Sequence, residues 1–187
     1  MRLFLALELA PPAAEETHAA VASLRELEPG LAWVPAHKLH LTMKFLGDAD
    51  ENSVSALMAA SDAVAARHRP FEMELGGVGA FPNFRRPRVV WLGVDPDPRL
   101  ELLHHDVELA AADVGYEVEG RPFRPHVTLA RVREALAPDR AKALARAARE
   151  VSYSATVPVD RLTLFDSATG VHGAPYRRLH AAILGGR

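Results

Sequence analysis

The sequence predicts an α+β fold: two pseudo-symmetric lobes of mostly antiparallel sheet, helices packed outside, and a central cleft. Three observations lead there. Strand patterns follow one another directly in several places, unlike the strict alternation of a doubly wound parallel sheet. The segment His40-Leu41-Thr42-Met43 returns as His126-Val127-Thr128-Leu129. Each copy follows a proline-containing stretch and precedes a turn and an Ala-rich helical pattern, and nearly half the chain separates the two histidines. Two related halves would each lend one strand to the shared cleft.

The elements follow in order. Residues 2–9 are a buried strand, stopped by Pro11-Pro12, and residues 13–28 have helical spacing (Ala19, Val21, Leu24, Leu27) up to Pro29-Gly30. Trp33-Val34-Pro35 leads into the first His-x-Thr strand, 39–46, and Gly47-Asp48 turns into a helix over 51–67. A short strand, 71–76, precedes a loop from Gly76 to Phe84. Its glycines lack the strand–turn–helix setting of a nucleotide-binding Gly-rich loop. Residues 88–94 are a strand, Asp95-Pro96-Asp97-Pro98 a turn, and 99–113 a helix. Arg121-Pro122-Phe123-Arg124-Pro125 delivers the second His-x-Thr strand, 126–132, and Pro138 opens a helix to 150. Strands at 151–157, 160–166 and 176–183 complete the pattern, with Ser167 to Pro175 connecting the last two.

With 187 residues the chain accommodates one domain, expected to span 1–187, with a core that needs no disulfide or structural metal. It has no Cys, which removes thiolate nucleophiles and Cys-ligated zinc and fits a reducing compartment. A net charge of −2 gives no general attraction to nucleic acid, but Arg85, Arg86 and Arg88 cluster, as do Arg121, Arg124, Arg131 and Arg133. The apolar start is broken by Glu8, so an opening strand is expected rather than a secretory signal, and no apolar run reaches membrane-span length. A cytoplasmic monomer is the expectation.

In a strand, residues i and i+2 share a face. His40 and Thr42 therefore point one way while Leu41 points the other, and the same holds for His126 and Thr128 about Val127. Two such strands facing each other surround a small anion with an acid, a base and two hydroxyl donors. That set can carry out phosphodiester chemistry without a metal. Other readings are weaker. His104 and His105 are adjacent and diverge by about 100° on a helix. Neither His40 nor His126 has a carboxylate at zinc-helix spacing. No G-x-S-x-G nucleophile motif occurs. The remaining histidines (His18, His37, His68, His104, His105, His172, His180) lack the Thr partner and read as surface or packing residues.

The whole chain resembles bacterial and archaeal RNA 2′,3′-cyclic phosphodiesterases of the 2H phosphoesterase superfamily, formerly called 2′-5′ RNA ligases. The resemblance runs through Arg2–Leu7, Trp33-Val34-Pro35, Leu39–Gly47, Gly79–Asn83, Arg86–Val94, Arg121–Arg131 and Leu164–Ser167. Asp166 stands where the family more often has Glu and reads as peripheral.

The resemblance implies a bilobal fold with one H-x-T-x motif per lobe. It implies hydrolysis of an RNA or nucleoside 2′,3′-cyclic phosphate to a 2′-phosphate without metal or cofactor, and weak 2′-5′ ligation in the reverse sense. It makes His40 the proton donor and His126 the proton acceptor, a direction that the near-symmetric sequence does not itself set. Thr42 and Thr128 are placed to bind the phosphate, with Arg124 and Arg131 as flanking candidates. In a regular strand Arg131 would face away from His126. Phe45, Phe81 and Phe84 are candidates to stack a base. The competing functions are a non-catalytic module that binds RNA ends and a phosphoesterase for another cyclic or 2′-5′ nucleotide.

Overall fold

A computed structural model describes residues 1–167 and 176–185. The helices are α1 (Pro11–Ala20), α2 (Ala22–Leu27), α3 (Glu51–Ala65), α4 (Pro98–Asp113) and α5 (Pro138–Glu150). The strands are β1 (Arg2–Glu8), β2 (Ala32–Trp33), β3 (His40–Asp48), β4 (Phe71–Phe81), β5 (Val89–Val94), β6 (His126–Arg131), β7 (Ser154–Val159), β8 (Arg161–Asp166) and β9 (Arg177–Ile183). They form one antiparallel sheet in the order β7-β4-β5-β6-β3-β1-β8-β9, with β2 paired to β6. The two His-x-Thr strands, β3 and β6, are the central neighbours, and each carries three further strands outward.

The halves also match in chain order. β1, a helical segment, β3 and α3 correspond to β5, α4, β6 and α5. The junction is narrow: β3 and β6 pair through Leu41 opposite Val127. Both side chains are fully buried, on the face that packs against the helices. The helices interlock the halves. α4 joins two strands of the second half yet packs beneath β3 and beside α3 of the first, while α5 packs against α2 and β4. Among the described residues no helix is long and apolar enough to cross a membrane.

Several elements depart from the sequence expectations for local reasons. The helix expected over 13–28 is two helices, because Val21 leaves helical geometry (φ −102°, ψ 18°) to bury its side chain. Arg25 Nη1 donates to the His18 carbonyl at this break. The strand expected to end at 76 continues to Phe81, so most of the expected loop is strand. Gly77, at φ +73°, absorbs a bulge between Leu75 and Val78 and the ladder resumes beyond it. The strand expected at 151 begins at Ser154, since Val151 still caps α5. Asp166 is not peripheral. It is buried, accepts from the Arg2 backbone N–H at 3.1 Å, and pairs with Arg177 at 3.0 Å. The expected connection over Ser167 to Pro175 lies mostly outside the described residues, as does His172.

Gly79 has a steric reason to lack a side chain. A Cβ there would lie 2.1 Å from Cζ2 of Trp91, whose indole covers the strand. Gly30, by contrast, has open space around its Cβ position. Gly79→Ala is therefore expected to cost about 1–3 kcal/mol through displacement of Trp91. Gly30→Ala should be nearly neutral, and equilibrium urea denaturation of the two variants checks the contrast.

Candidate active site

The alternation read from the motifs holds on both central strands. Leu41 and Val127 are buried beneath the sheet, while His40, Thr42, His126 and Thr128 are half-buried on the opposite face. Antiparallel register about the Leu41–Val127 pair sets His40 across from Thr128 and Thr42 across from His126. Each imidazole is held by the same local bond. His40 Nδ1 lies 2.7 Å from the Lys38 carbonyl oxygen, and His126 Nδ1 lies 2.7 Å from that of Arg124. A carbonyl oxygen only accepts, so each Nδ1 carries the hydrogen, and Nε2 is the nitrogen left for proton exchange.

A bulge follows each Thr. In β3 the partners run Leu5–Lys44, then Ala6–Thr42, skipping Met43. In β6 they run Val90–Ala130, then Trp91–Thr128, skipping Leu129. The extra residue reverses the face of the residues that directly follow it. Met43 and Lys44 are consequently both buried, as are Leu129 and Ala130. Phe45 and Arg131 are then exposed on the cleft side, Phe45 by 69%. This corrects the expectation that Arg131 turns away: the strand is not regular.

Two cavities share Thr42 and Phe45 as a common wall. One of about 690 Å³ holds His126 with Phe81, Phe123, His104 and the arginines Arg88, Arg121 and Arg124. The other, about 530 Å³, holds His40, Thr128, Arg131, Phe4 and Tyr176. Phe81 meets the His126 ring edge-on, with centroids 5.0 Å apart. Phe84 instead packs against the main core and is not among the residues lining either cavity. His104, read as a surface or packing residue, forms part of the larger cavity and stacks on Phe123 at 3.8 Å.

The sequence reading missed the aromatic wall around His40. Phe4 and Tyr176 lie 5.0 and 5.6 Å from its ring, and with Ala6 and Phe165 they form a small apolar cluster separate from the main core. The signal was available in β1. Arg2–Glu8 is apolar at nearly every position, so both its faces had to be covered.

The two imidazoles differ electrostatically. Burial pushes both below the ordinary histidine value, opposed by the hydrogen bonds to Lys38 and Arg124. The positive charge of Arg131 pushes both down further, so its guanidinium acts on the pair. Glu8 pulls His40 alone upward. It is the cross-strand partner of His40, whereas Gly93 is the partner of His126. Among the described residues no group of three or more His, Cys, Asp or Glu side chains could hold a metal ion.

Residues 10–170 match the 2'-5' RNA ligase superfamily. The chain belongs to this superfamily. An RNA 2',3'-cyclic phosphodiesterase of Geobacillus stearothermophilus is 38% identical over 116 residues, 62% of this chain but only 37% of that protein. One from Thermus thermophilus is 37% identical over 146 residues, covering 74% of this chain and 71% of its own. The crystal structure of Escherichia coli LigT complexed with 3'-AMP superposes with a TM-score of 0.72 at 28% identity, covering 98% of this chain and 97% of that one.

The lowered imidazoles give a direct expectation. Both histidines should titrate below pH 6.5 in the free protein when followed by NMR of their ring protons. Glu8→Gln should lower the His40 midpoint further and leave that of His126 in place. Equal movement of both midpoints would contradict the assignment of Glu8 to one ring.

Proposed function

We propose that this protein hydrolyses 2′,3′-cyclic phosphate ends of RNA or nucleosides to 2′-phosphates, with His40 and His126 as the proton-transfer pair. One observation carries the reading. Two imidazoles, each fixed through Nδ1 to its own backbone, leave Nε2 available on the same face of adjoining strands, each beside a threonine. The names of the relatives and the nucleotide bound by Escherichia coli LigT support it.

In the proposed reaction a water oxygen attacks phosphorus and the bond from phosphorus to the 3′-oxygen breaks. His126 Nε2 takes the proton of the water as the new P–O bond forms. His40 Nε2–H gives its proton to the departing 3′-oxygen, and the phosphate stays on the 2′-oxygen. A base and an acid on opposite sides of the phosphorus suit an in-line path. Glu8, across the ladder, favours the imidazolium at His40, while burial, Arg131 and the charge of His126 oppose it, so the assignment of His40 as donor follows the resemblance and not the electrostatics.

The Thr42 and Thr128 hydroxyls and the Arg131 guanidinium meet the charge that gathers on the non-bridging oxygens. Arg124 adds positive charge at the mouth of the larger cavity. Phe45, on the wall between the cavities, and Phe81 offer faces for a base. A 5′-hydroxyl in place of water would give a 2′-5′ linkage by the same steps. The substrate partner is thus an RNA end or nucleotide bearing the cyclic phosphate, taken by a single cytoplasmic chain.

The decisive experiment is end analysis of an oligonucleotide carrying a 2′,3′-cyclic phosphate terminus. Conversion to a 2′-phosphate is expected. Binding without turnover would instead indicate an RNA-end module, and a 3′-phosphate product would refute the stated bond cleavage.

His40→Ala and His126→Ala should each lower turnover by roughly 10²–10⁴, the scale of a positioned acid or base. Thr42→Val and Thr128→Val keep the β-branched shape and remove a hydrogen bond to a charged oxygen, worth about 1.5–3 kcal/mol, or one to two decades in rate. Steady-state kinetics on the folded variants ranks the four.

Turnover should survive exhaustive chelation and gain nothing from Mg²⁺, Mn²⁺ or Zn²⁺. It should follow a bell-shaped pH profile, because one imidazole must be neutral while its partner is protonated. Burial lowers both groups in the free protein, so the kcat/KM optimum is expected on the acidic side of pH 7. A bound phosphate anion favours imidazolium, so the kcat profile should lie at higher pH. Loss of activity on chelation, restored by one metal, would refute the two-imidazole mechanism.

A further inference from the structure

The bulge after Thr42 has a second product besides the exposure of Phe45: it turns the neighbouring Lys44 inward. Lys44 is 6% exposed, and its ammonium lies 2.7 Å from Glu108 Oε2 on α4 and 2.6 Å from the Glu117 carbonyl oxygen. Glu108 is 5% exposed, and the same Oε2 accepts the Glu119 backbone N–H at 2.9 Å. A buried ion pair such as this is weak evidence of net stabilisation, since desolvation offsets most of the attraction. Its geometric consequence is firmer. Lys44 belongs to a central strand of the first half, and both partners of its ammonium lie in the second, on α4 and on the segment leading to β6.

That segment ends at His126. Glu108 Oε1 lies 3.7 Å from His104 Nε2, and His104 stacks on Phe123, the residue before Arg124. The Arg124 carbonyl in turn takes the His126 Nδ1 hydrogen. A continuous set of contacts thus runs from the strand of His40 and Thr42 to the backbone atom that orients His126. The direct ladder between β3 and β6 is the single pair Leu41–Val127; β2 adds two pairs at the far end of β6 and β5 holds His126 from within the second half, so the Lys44 contacts are a further tie from the first half to the segment that precedes His126.

We propose that Lys44 is a positioning residue: by gripping Glu108 and the Glu117 carbonyl from the His40 strand, it sets the segment that holds His126 in line with His40. The inference deepens the proposed function and rests on His126 being one of the reacting pair. Lys44 and Glu108 are part of the wall of the His126 cavity, but the Lys44 ammonium is held by Glu108 and the Glu117 carbonyl and touches neither histidine; an effect on alignment falls in kcat, whereas a contact with substrate would fall in KM.

The test uses Lys44→Met and the double variant Lys44→Met/Glu108→Met. The single change leaves a buried carboxylate unpaired and is expected to lower stability, whereas the double change removes both charges and should fold. If Lys44 positions His126, the double variant well below its melting temperature should lose roughly 10–100-fold in kcat/KM, the scale of a small misplacement of a reacting group. The loss should fall mainly in kcat. The NMR ring resonances of His126 should move in the double variant while those of His40 stay close to the parent.

A double variant with parental kcat/KM and unmoved His126 resonances would overturn the proposal and leave the pair a packing feature. If the parent protein itself shows no turnover of the cyclic-phosphate oligonucleotide, the reading of the reaction fails, and the NMR comparison still decides whether Lys44 orients His126.

Discussion

The site depends on one backbone pairing, Leu41 opposite Val127, at the centre of the sheet. Both side chains are fully buried, so their direction is set by the core and not by the cleft. Because strand residues alternate, burying these two forces the histidine and threonine on either side of each into the opposite face. A one-residue slip of either strand would place its imidazole in the apolar layer and its leucine or valine in the cleft, at the cost of desolvating the ring and exposing an aliphatic chain. The apolar core thus enforces the geometry of four polar groups on the opposite face of the sheet.

Two irregularities refine that arrangement. A perfectly regular strand would present the third alternate residue after His and Thr, namely Lys44 or Ala130. The bulges at Met43 and Leu129 replace them with Phe45 and Arg131. The halves therefore share their backbone and differ in what it presents: a ring from the first, a guanidinium from the second. That difference turns a nearly symmetric pair of strands into a cleft with an apolar wall and a cationic one. Glu8 opposite His40 and Gly93 opposite His126 break the symmetry a second time, electrostatically.

Much of the remaining structure presses the halves together. α4 reaches from the second half beneath β3, and the Lys44–Glu108 pair lies at that crossing. Glu28, after α2, is almost fully buried and pairs with Arg140 on α5. Its backbone carbonyl accepts the Trp33 indole N–H at 2.8 Å. These polar ties are directional. Apolar packing alone would tolerate a small rotation of one half against the other, which directional bonds resist.

By itself the sequence determined the α+β class, the two-half organisation and the cleft-facing set His40, Thr42, His126 and Thr128. Those follow from apolar periodicity and a repeated motif, both local properties of the chain. It also marked Phe45, Phe81 and Arg124, which line the larger cavity. Only the tertiary structure decided that Arg131 faces the cleft, because a bulge is a two-strand event that depends on which partner residue is skipped. The same reason hid the strand character of Gly76 to Phe81, whose glycines are explained by a bulge and by the Trp91 ring lying above them. Phe84 could not be separated from Phe45 by residue type, since one packs into the core and the other stands clear of it. Glu8 and Tyr176 meet His40, and Lys44 meets Glu108 on α4, through long-range register and burial that no local pattern encodes.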